Sequence, residues 1–597
     1  MKKVQTYYKA EQERNELLAN KQSKRAHILG TAKLILIILT GISLYILRAA
    51  DGITLATVLA LTAITFGILM RLQTTALWKA KYFDLAKKLC KNELDGLQLN
   101  HSAFDGAKEY IDPTHPFTSD LDVFGEHSLF QTANRTATPM GLETLAKWFR
   151  DPLTDKDKII ERQKAIQELS LQTAFRQHLS VQLLIDTIKE DKLPLASLTK
   201  KIPISLSQNL LLRICLWLIP LGWIMLFILF CLEIIPSSVL GLYFSACFLI
   251  AYSKTKEVNN LYQSYNKTDR FLKSYAIVIS DLEKKTFTNN LLIKTQETFL
   301  STSNCASQSI LRLSKIIGAL DQRFSLMGIL FNIFFLRDIR QTIRLEQWQK
   351  EYAHSLEKWF EALGQFDALC SLGTFAFNHP NYTYATPTDS YFQMEGKNLG
   401  HPLISEDHCV RNDITIKQSP FFLIITGANM AGKSTYLRTI GVNFLLSSIG
   451  CPSFASSLTF CPAPLVTSLC TSDSLVSNES YFFAELKSLQ NIIIRLKQGE
   501  KLFIIMDEIL KGTNSVDKQK GSLALMKQLV GLGSCGIIAT HDLILGGLEK
   551  EFPQHIKNFR FEADIKDDNL TFSYLLREGI AQNMNACFLM KKMGIYI

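Results

Sequence analysis

None of the 12 cysteines stands in a Cys-x-x-Cys pair, and no matching histidine spacing accompanies them. That pattern argues against both a zinc site and a disulfide framework, and the cysteines read as reduced, mostly buried cytosolic thiols. Glycine and proline are scarce, 30 and 16 in 597 residues, so no long flexible linker is evident. Low-complexity tracts and internal repeats do not appear either. The net charge of +10 is modest for this length. It would suit anionic lipid or nucleic acid, but much of the surplus flanks apolar runs and does not separate the two partners.

What the chain has in quantity is apolar sequence, 47% of residues, gathered into a few runs. Ile28 to Leu47 is interrupted only by Lys33, and Ile53 to Met70 carries no charge. Each is long enough to cross a hydrocarbon core as a helix. A second pair follows at Ile214 to Leu232 and Val239 to Tyr252, separated by Glu233 and Pro236. A buried helical hairpin of a soluble domain is the other reading of that second pair. For the first run the competitor is a secretory signal peptide, which its long leading segment and the immediate second span oppose. Lys2, Lys3, Lys21, Lys24 and Arg25 precede the first hairpin, and Arg71, Lys79 and Lys81 follow it. The positive-inside rule then keeps both chain ends in the cytoplasm.

These features divide the chain into a basic cytoplasmic tail at 1–27, a transmembrane hairpin at 28–70, a helical region at 71–375 with a second membrane hairpin at 214–252, and an α/β domain at 376–597. In the helical region, "DKDKIIERQKAIQEL" and "YAHSLEKWFEALGQFDALCSL" repeat apolar residues every three to four positions, the period of packed helices. From about Asn378, short β-type runs broken by Asn, Pro, Gly and Asp give way to alternating strands and helices.

The chemistry lies in that last part. Gly427-Ala428-Asn429-Met430-Ala431-Gly432-Lys433-Ser434 fits G-x-x-x-x-G-K-[ST], with the apolar strand Phe421 to Thr426 before it and a helical pattern from Thr435 onward. A strand and a helix in those places are the context the phosphate-binding loop requires. Its backbone N–H groups and the helix N-terminus favour negative charge. Lys433 is placed for β- and γ-phosphates, and Ser434 for Mg²⁺. Downstream, "KLFIIMDEI" is a buried-type strand ending in Asp507, suited to the Mg²⁺ shell, and Glu508, suited to polarising an attacking water. The next strand, "CGIIATHD", ends in His541, which at that sheet edge can hydrogen-bond a γ-phosphate.

These elements resemble the ATPases of the MutS and ABC-type families. "TGANMAGKST" is similar to the MutS wording TGPNMGGKST, with Ala428 and Ala431 as mild changes, while the LSGGQ of ABC transporters is absent. "SNESYFFAEL" resembles the S-x-F-x-x-E-M stretch of MutS through Ser480, Phe482 and Glu485. "MDEILKGTNSVD" resembles DEIGRGTS-x-x-D, with Leu510 and Lys511 in place of Gly-Arg. The resemblance implies that Ser480 contacts the γ-phosphate of a partner subunit, with Asn514 and Asp517 near the same interface. It also implies ATP and Mg²⁺ as cofactors and a homodimer formed through the ATPase domains. His127 to Leu169 is similar to the opening of the MutS core and lever helices, and "EGKNLGHPLI", "VRND" and "TFSYLLREGIAQNMNACFLMKKMGI" are similar to other parts of the MutS ATPase.

The expected fold class is therefore an α/β P-loop ATPase domain of ABC/MutS type preceded by an all-α core and lever-like region with transmembrane hairpins. Two features depart from mismatch readers. Phe124-Gly125-Glu126 has the Phe-x-Glu form of the family's DNA wedge, yet it adjoins the core segment with no scaffold domain of adequate size before it. The family's DNA clamp is inserted within its lever helices, where this chain has its second apolar hairpin. The expectation is a multi-pass protein of the cytoplasmic membrane, ATPase in the cytoplasm, with membrane lipid and DNA as partners. An ATPase that moves or scaffolds membrane components without touching DNA is the alternative.

Overall fold

In the computed structural model the described residues are 2–186, 208–259, 268–300, 305–389, 392–428, 430–469, 481–510, 513–566 and 569–582. Helix α1 (Lys2–Ile46) and helix α2 (Gly52–Gly96), each of 45 residues, form an antiparallel hairpin. Gln73 Nε2 donates to the Ala26 carbonyl at 3.1 Å, and the Thr40 and Thr62 hydroxyls meet nearer the tip. At about 1.5 Å per residue each helix is roughly 65 Å long, so the apolar runs occupy only the distal part. There Ile35, Ile38, Leu61 and Ile64 are exposed. The expected boundaries need revision. Residues 2–27 are no separate tail but the first half of α1, because nothing there breaks a helix: the segment contains neither Gly nor Pro. Its Val4 and Tyr8 pack with Cys90, Leu94 and Phe377 at the hairpin base.

The helical region contains α3 (Leu129–Ala133), α4 (Pro139–Arg150), α5 (Lys156–Ser170), α6 (Thr173–Leu184), α7 (Leu210–Cys231), α8 (Ser237–Ser253), α9 (Asp269–Lys284), α10 (Asn290–Leu300), α11 (Ala306–Asp321), α12 (Leu326–Phe335) and α13 (Arg337–Asn378). Helix α13, 42 residues long, organises it. Leu345, Trp348, Tyr352, Leu356, Trp359, Leu363 and Phe366 recur every three or four positions and are all buried, one stripe facing the core. They share a core with Leu272, Tyr275 and Ile279 of α9 and with Ile310, Leu313 and Ile317 of α11. Trp348 Nε1 donates to the Ser309 carbonyl at 2.8 Å. Phe124 lies in this same core, its ring 5.2 Å from Phe130 and 5.8 Å from Tyr110, and Glu126 pairs with Lys108 at 2.7 Å. The Phe-x-Glu triplet is thus part of the packing and presents no exposed wedge.

Three apolar helices gather at the N-terminal end of α13. Ile219 of α7 and Cys247 and Ala251 of α8 cluster with Ile333, Leu336, Ile339 and Ile343. The second apolar pair of the sequence forms two helices, α7 and α8, with slightly wider bounds than the runs themselves. The ten-residue helix α12 was not foreseen, since its run is too short to register as a span. Pro220 inside α7 has no N–H for the Leu216 carbonyl. Arg340 Nη2 of α13 donates to that carbonyl instead, at 2.8 Å. By length and apolar composition α1, α2 and α7 suffice to cross a membrane, and α8 is shorter.

The α/β region has strands β1 (Thr386–Pro387), β2 (Met394–Leu399), β3 (Asn412–Ile416), β4 (Phe421–Gly427), β5 (Ser457–Phe460), β6 (Leu465–Ser468), β7 (Phe503–Asp507), β8 (Cys535–Thr540), β9 (Ile556–Phe561), β10 (Ala563–Lys566), β11 (Asn569–Phe572) and β12 (Arg577–Glu578). Helix α14 (Lys433–Ser448) follows β4, α15 (Tyr481–Lys497) precedes β7, and α16 (Ser515–Gly531) precedes β8. The main sheet has the order β12-β9-β4-β8-β7-β6, parallel except at β12. Its central strands are apolar on both faces, as a sheet covered twice requires. Phe422, Ile424, Ile504 and Met506 pack against Ile492, Leu496, Met526 and Leu529 of α15 and α16. Leu423, Ile425, Phe503 and Ile505 pack against Leu437, Ile440 and Phe444 of α14, in a core continuous with the helical region. A smaller sheet, β1-β5-β2-β3, flanks α14.

Candidate active site

Strand register decides which polar residues meet. Thr426 of β4 pairs with Thr540 of β8, and Asp507 of β7 pairs with Ala539. The residues that leave the three strands, Gly427, Glu508 and His541, therefore emerge side by side at the carboxyl edge, where open parallel sheets hold their ligands.

Between β4 and α14 the backbone turns sharply. Met430 has φ +65° and Gly432 φ +105°. A Cβ on Gly432 would lie 3.0 Å from the Tyr574 ring, so glycine answers both the conformation and the space. Lys433 is buried, and its ammonium donates to the carbonyls of Gly427 at 2.8 Å and Ala428 at 2.9 Å. The same Nζ is 3.4 Å from His541 Nε2. Ser434 Oγ donates to Asp507 Oδ2. Thr435 is exposed in the first turn of α14, and its carbonyl accepts from the Thr439 hydroxyl.

Glu508 sits one residue past the strand with φ +52°, and its N–H still donates to the Ala539 carbonyl at 2.9 Å. That left-handed geometry is costly for a residue with a Cβ. It swings the carboxylate out of the strand's alternation to within 2.8 Å of His541 Nε2. Leu510 is also left-handed, at φ +60°, and its N–H donates to the buried carboxylate of Glu485 at 2.6 Å. Glu485 therefore braces the loop that carries Glu508.

These groups line a cleft of about 530 Å³. Its opposite wall was not anticipated from sequence: Leu399, His401, Val410 and Asn412 come from the smaller sheet and its connections, and Tyr574 from the segment after β11. Asn412 braces that wall, donating to the Tyr574 carbonyl at 3.0 Å and accepting from Leu576 N at 2.8 Å. Burial, reinforced by the positive charge of Arg438, lowers the His401 pKa to about 4, so its imidazole is neutral at physiological pH. In sequence the residues of this wall fall within "EGKNLGHPLI", "VRND" and "TFSYLLREGI", whose resemblance to parts of the MutS ATPase gives no individual residue a role.

The expected partner-facing residues lie elsewhere. Asn514 caps α16, accepting from Asp517 N at 2.9 Å and donating to its carboxylate at 2.6 Å. Both are exposed and neither lines the cleft. Asn429, Ser480 and Lys511 fall outside the described residues.

Chemically, the set fits a phosphate chain with a divalent cation. The Ser434 hydroxyl and Asp507 carboxylate stand together as hard oxygen donors of the kind Mg²⁺ takes. The Lys433 ammonium rests on two backbone carbonyls at the mouth of an amide-lined turn, a contact phosphate oxygens can replace. A carboxylate and an imidazole face the same space.

Comparison with known proteins agrees with this architecture. The family model described as MutS domain III matches residues 109–373, and that of MutS domain V matches residues 423–594. A DNA mismatch repair protein MutS of Thermotoga petrophila is 30% identical over 41% of this chain and 31% of its own length. DNA mismatch repair protein MSH3 of Lodderomyces elongisporus is 26% identical over 79% of this chain and 54% of its own. MutS of Caldanaerobacter subterraneus subsp. tengcongensis is 25% identical over 76% and 55%. The chain thus spans between about a third and just over half of these relatives. With a helical core and an α/β unit each matched by its own family model, and in the same order, the chain belongs to the MutS family.

Proposed function

We propose that this chain is a membrane-anchored ATPase that couples ATP binding and hydrolysis to binding of DNA. The observation that carries the enzymatic part is the convergence of Lys433, Ser434, Asp507, Glu508 and His541 on one cleft at the carboxyl edge of a parallel sheet. In this reading the turn from Gly427 to Gly432 and the N-terminus of α14 cradle the phosphates, and Lys433 exchanges its carbonyl contacts for β- and γ-phosphate oxygens. Tyr574, Leu399 and Val410 offer apolar surface to a base. Ser434 and Asp507 would hold Mg²⁺, which when bound neutralises charge on the phosphates. Glu508 orients and deprotonates the attacking water, and His541 holds that carboxylate in place and senses the γ-phosphate. Ser480, Asn514 and Asp517 then serve a second copy of the chain, closing a homodimer over nucleotide. The DNA part rests on family membership and on the DNA mismatch repair role for which the relatives are named.

The membrane part rests on the exposed apolar ends of α1, α2 and α7. Placed in the cytoplasmic membrane as a multi-pass protein, the chain keeps its ATPase on the cytoplasmic side. A second reading, an ATPase that remodels or scaffolds membrane components without DNA, is favoured by the buried position of Phe124 and by the apolar cluster at the head of α13.

One experiment separates these readings. ATP turnover and binding of duplex, mismatched and branched DNA are measured on detergent-solubilised protein across a salt titration, with Lys433→Ala as control. ATP turnover lost in Lys433→Ala, with salt-sensitive DNA binding that responds to ATP, is expected. Turnover without any salt-sensitive DNA binding would favour the scaffold reading. Absence of Lys433-dependent turnover would reject the ATPase itself.

A further inference from the structure

We propose that α12 is a re-entrant membrane element, a half-length apolar helix that dips into lipid acyl chains and returns on the side it entered, rooting α13 directly in the bilayer. The inference rests on the membrane reading above and adds to it a surface that belongs to neither apolar hairpin.

The segment "LMGILFNIFF" carries no charge. Ten residues rise about 15 Å, half of a typical hydrocarbon core, so α12 cannot span. One side of it packs against the apolar hairpin: the Phe334 ring is 4.6 Å from Trp223, and Ile333 is buried with Ile219, Cys247 and Ala251. The other side is bare. Met327 is 60% exposed, and Phe331 and Phe335 nearly half. A contiguous patch of this kind needs an apolar partner. It is continuous with the exposed faces of α7 and α8, on which Leu218, Leu221, Phe227 and Leu249 also lie bare. The occupant consistent with all three helices is lipid.

The two flanks fix the direction of travel. Both α11 before it and α13 after it are packed into the helical core, so the chain leaves that core and comes back to it. The neck is closed by an ion pair, Arg323 Nε to Asp338 Oδ2 at 3.4 Å, with both side chains buried. Arg337 Nη2 donates to Gln322 Oε1 at 2.9 Å across the same gap. Asn332 in α12 accepts from Asp338 N at 3.1 Å. The return turn is made by Leu336, fully buried and left-handed at φ +46°, a conformation a bulky residue adopts only when its surroundings impose it. Arg344, about two turns into α13, is exposed, as a cationic side chain that reaches lipid headgroups would be. Charged side chains thus flank α12 at both ends, and its own residues are apolar.

The test uses the full chain reconstituted into phosphatidylcholine/phosphatidylglycerol vesicles containing a phospholipid with a photoreactive diazirine in its acyl chain. After illumination and trypsin digestion, the peptide Phe324–Arg337 should carry lipid adducts, as should Leu34–Arg48 of α1. Yields on both should be on the order of ten times those on peptides of the α/β region, which meets no lipid. Labelling of Leu34–Arg48 without Phe324–Arg337 would overturn the proposal and leave the membrane reading standing. Labelling of neither would overturn both. In a second arm, Lys315→Cys and Arg344→Cys should react with a membrane-impermeant maleimide on the face that carries the ATPase. Reaction on opposite faces would make α12 part of a complete span and reject re-entry.

Discussion

The carboxylate of Glu508 lies 2.8 Å from Nε2 of His541, although the two residues leave different strands. Neither side chain would reach the other in regular strand geometry. Glu508 does so by adopting φ +52° while its N–H keeps a bond to the Ala539 carbonyl. The backbone is strained so that the acid faces the cleft, and the strain is held by the ladder on one side and by the Glu485 contact to Leu510 on the other.

If Glu508 is the base, Glu508→Gln retains ATP binding and loses turnover on the order of 10²- to 10⁴-fold, the usual contribution of general-base catalysis. The amide preserves shape and a contact to His541 but cannot take a proton. Equilibrium nucleotide binding and single-turnover hydrolysis give the two numbers. A Gln variant that hydrolyses ATP at the wild-type rate would remove Glu508 from that role.

Glu485 is a positioning residue, and its substitution should separate rate from affinity. Glu485→Ala leaves the buried Leu510 N–H without this acceptor, which costs about 1–3 kcal/mol locally and lets the loop after Asp507 relax. The expected result is a lower kcat with little change in ATP affinity, restored in part by Glu485→Gln, which keeps an acceptor oxygen. Equal losses in Glu485→Gln and Glu485→Ala would show that charge, not the hydrogen bond, is what the loop requires.

The order of motifs made the core of this site legible before any coordinates. The loop that starts at Gly427, Asp507-Glu508 and His541 each follow or end a strand-like run, and a parallel sheet must bring such ends together. The far wall was not legible. Leu399, Asn412 and Tyr574 approach the cleft through a second sheet and a late segment, and no local pattern encodes that approach. The apolar runs announced α1, α2, α7 and α8 by length. They did not announce α12, because ten apolar residues are equally compatible with a buried helix. The 45-residue length of α1 escaped for another reason: its first half is polar on most faces, and only tertiary packing of Val4 and Tyr8 at the base shows it to be one continuous element.

That base supplies a further prediction. Arg135 Nε donates to Glu93 Oε1 at 2.6 Å, Asn378 Nδ2 to Glu93 Oε2 at 2.7 Å, and Tyr8 Oη to Asn378 Oδ1 at 2.8 Å. The chain of bonds joins α1, α2 and the C-terminal end of α13, and the Arg135 and Glu93 side chains are both buried. Glu93→Ala leaves the guanidinium without its carboxylate and should cost about 3 kcal/mol, the lower end for breaking a buried pair. The hairpin base should then open, seen as a lower Tm and faster trypsin cleavage within residues 2–27. The paired change Glu93→Leu with Arg135→Met should be milder than Glu93→Ala alone. If it is not, the network matters for more than charge compensation.

Asp367 gives stability a pH dependence of predictable sign. This residue of α13 is buried and accepts from Ala137 N at 3.0 Å, Thr138 N at 2.8 Å and the Thr138 hydroxyl at 2.7 Å, tying α13 to the start of α4. Burial outweighs those hydrogen bonds and pushes its pKa up to about 6. Between the unfolded carboxylate value near 4 and pH 6 the folded state therefore binds more protons than the unfolded state. The stability contribution is fully present below about pH 4 and is lost as pH rises through about 6, by roughly 2–3 kcal/mol at most. Asp367→Asn cannot ionise, so its own stability should be flatter over this window. The wild type's advantage over it should be larger at pH 4.5 than at pH 7.5. A companion substitution checks the geometry: a Cβ on Gly141 would lie 2.2 Å from Asp367 Oδ2, so Gly141→Ala should displace the carboxylate and lower Tm at both pH values. Thermal unfolding of the wild type and the two variants at pH 4.5 and 7.5 decides the matter. A wild-type advantage over Asp367→Asn that grows toward pH 7.5 would mean that the hydrogen bonds outweigh burial and that the carboxylate is ionised in the core.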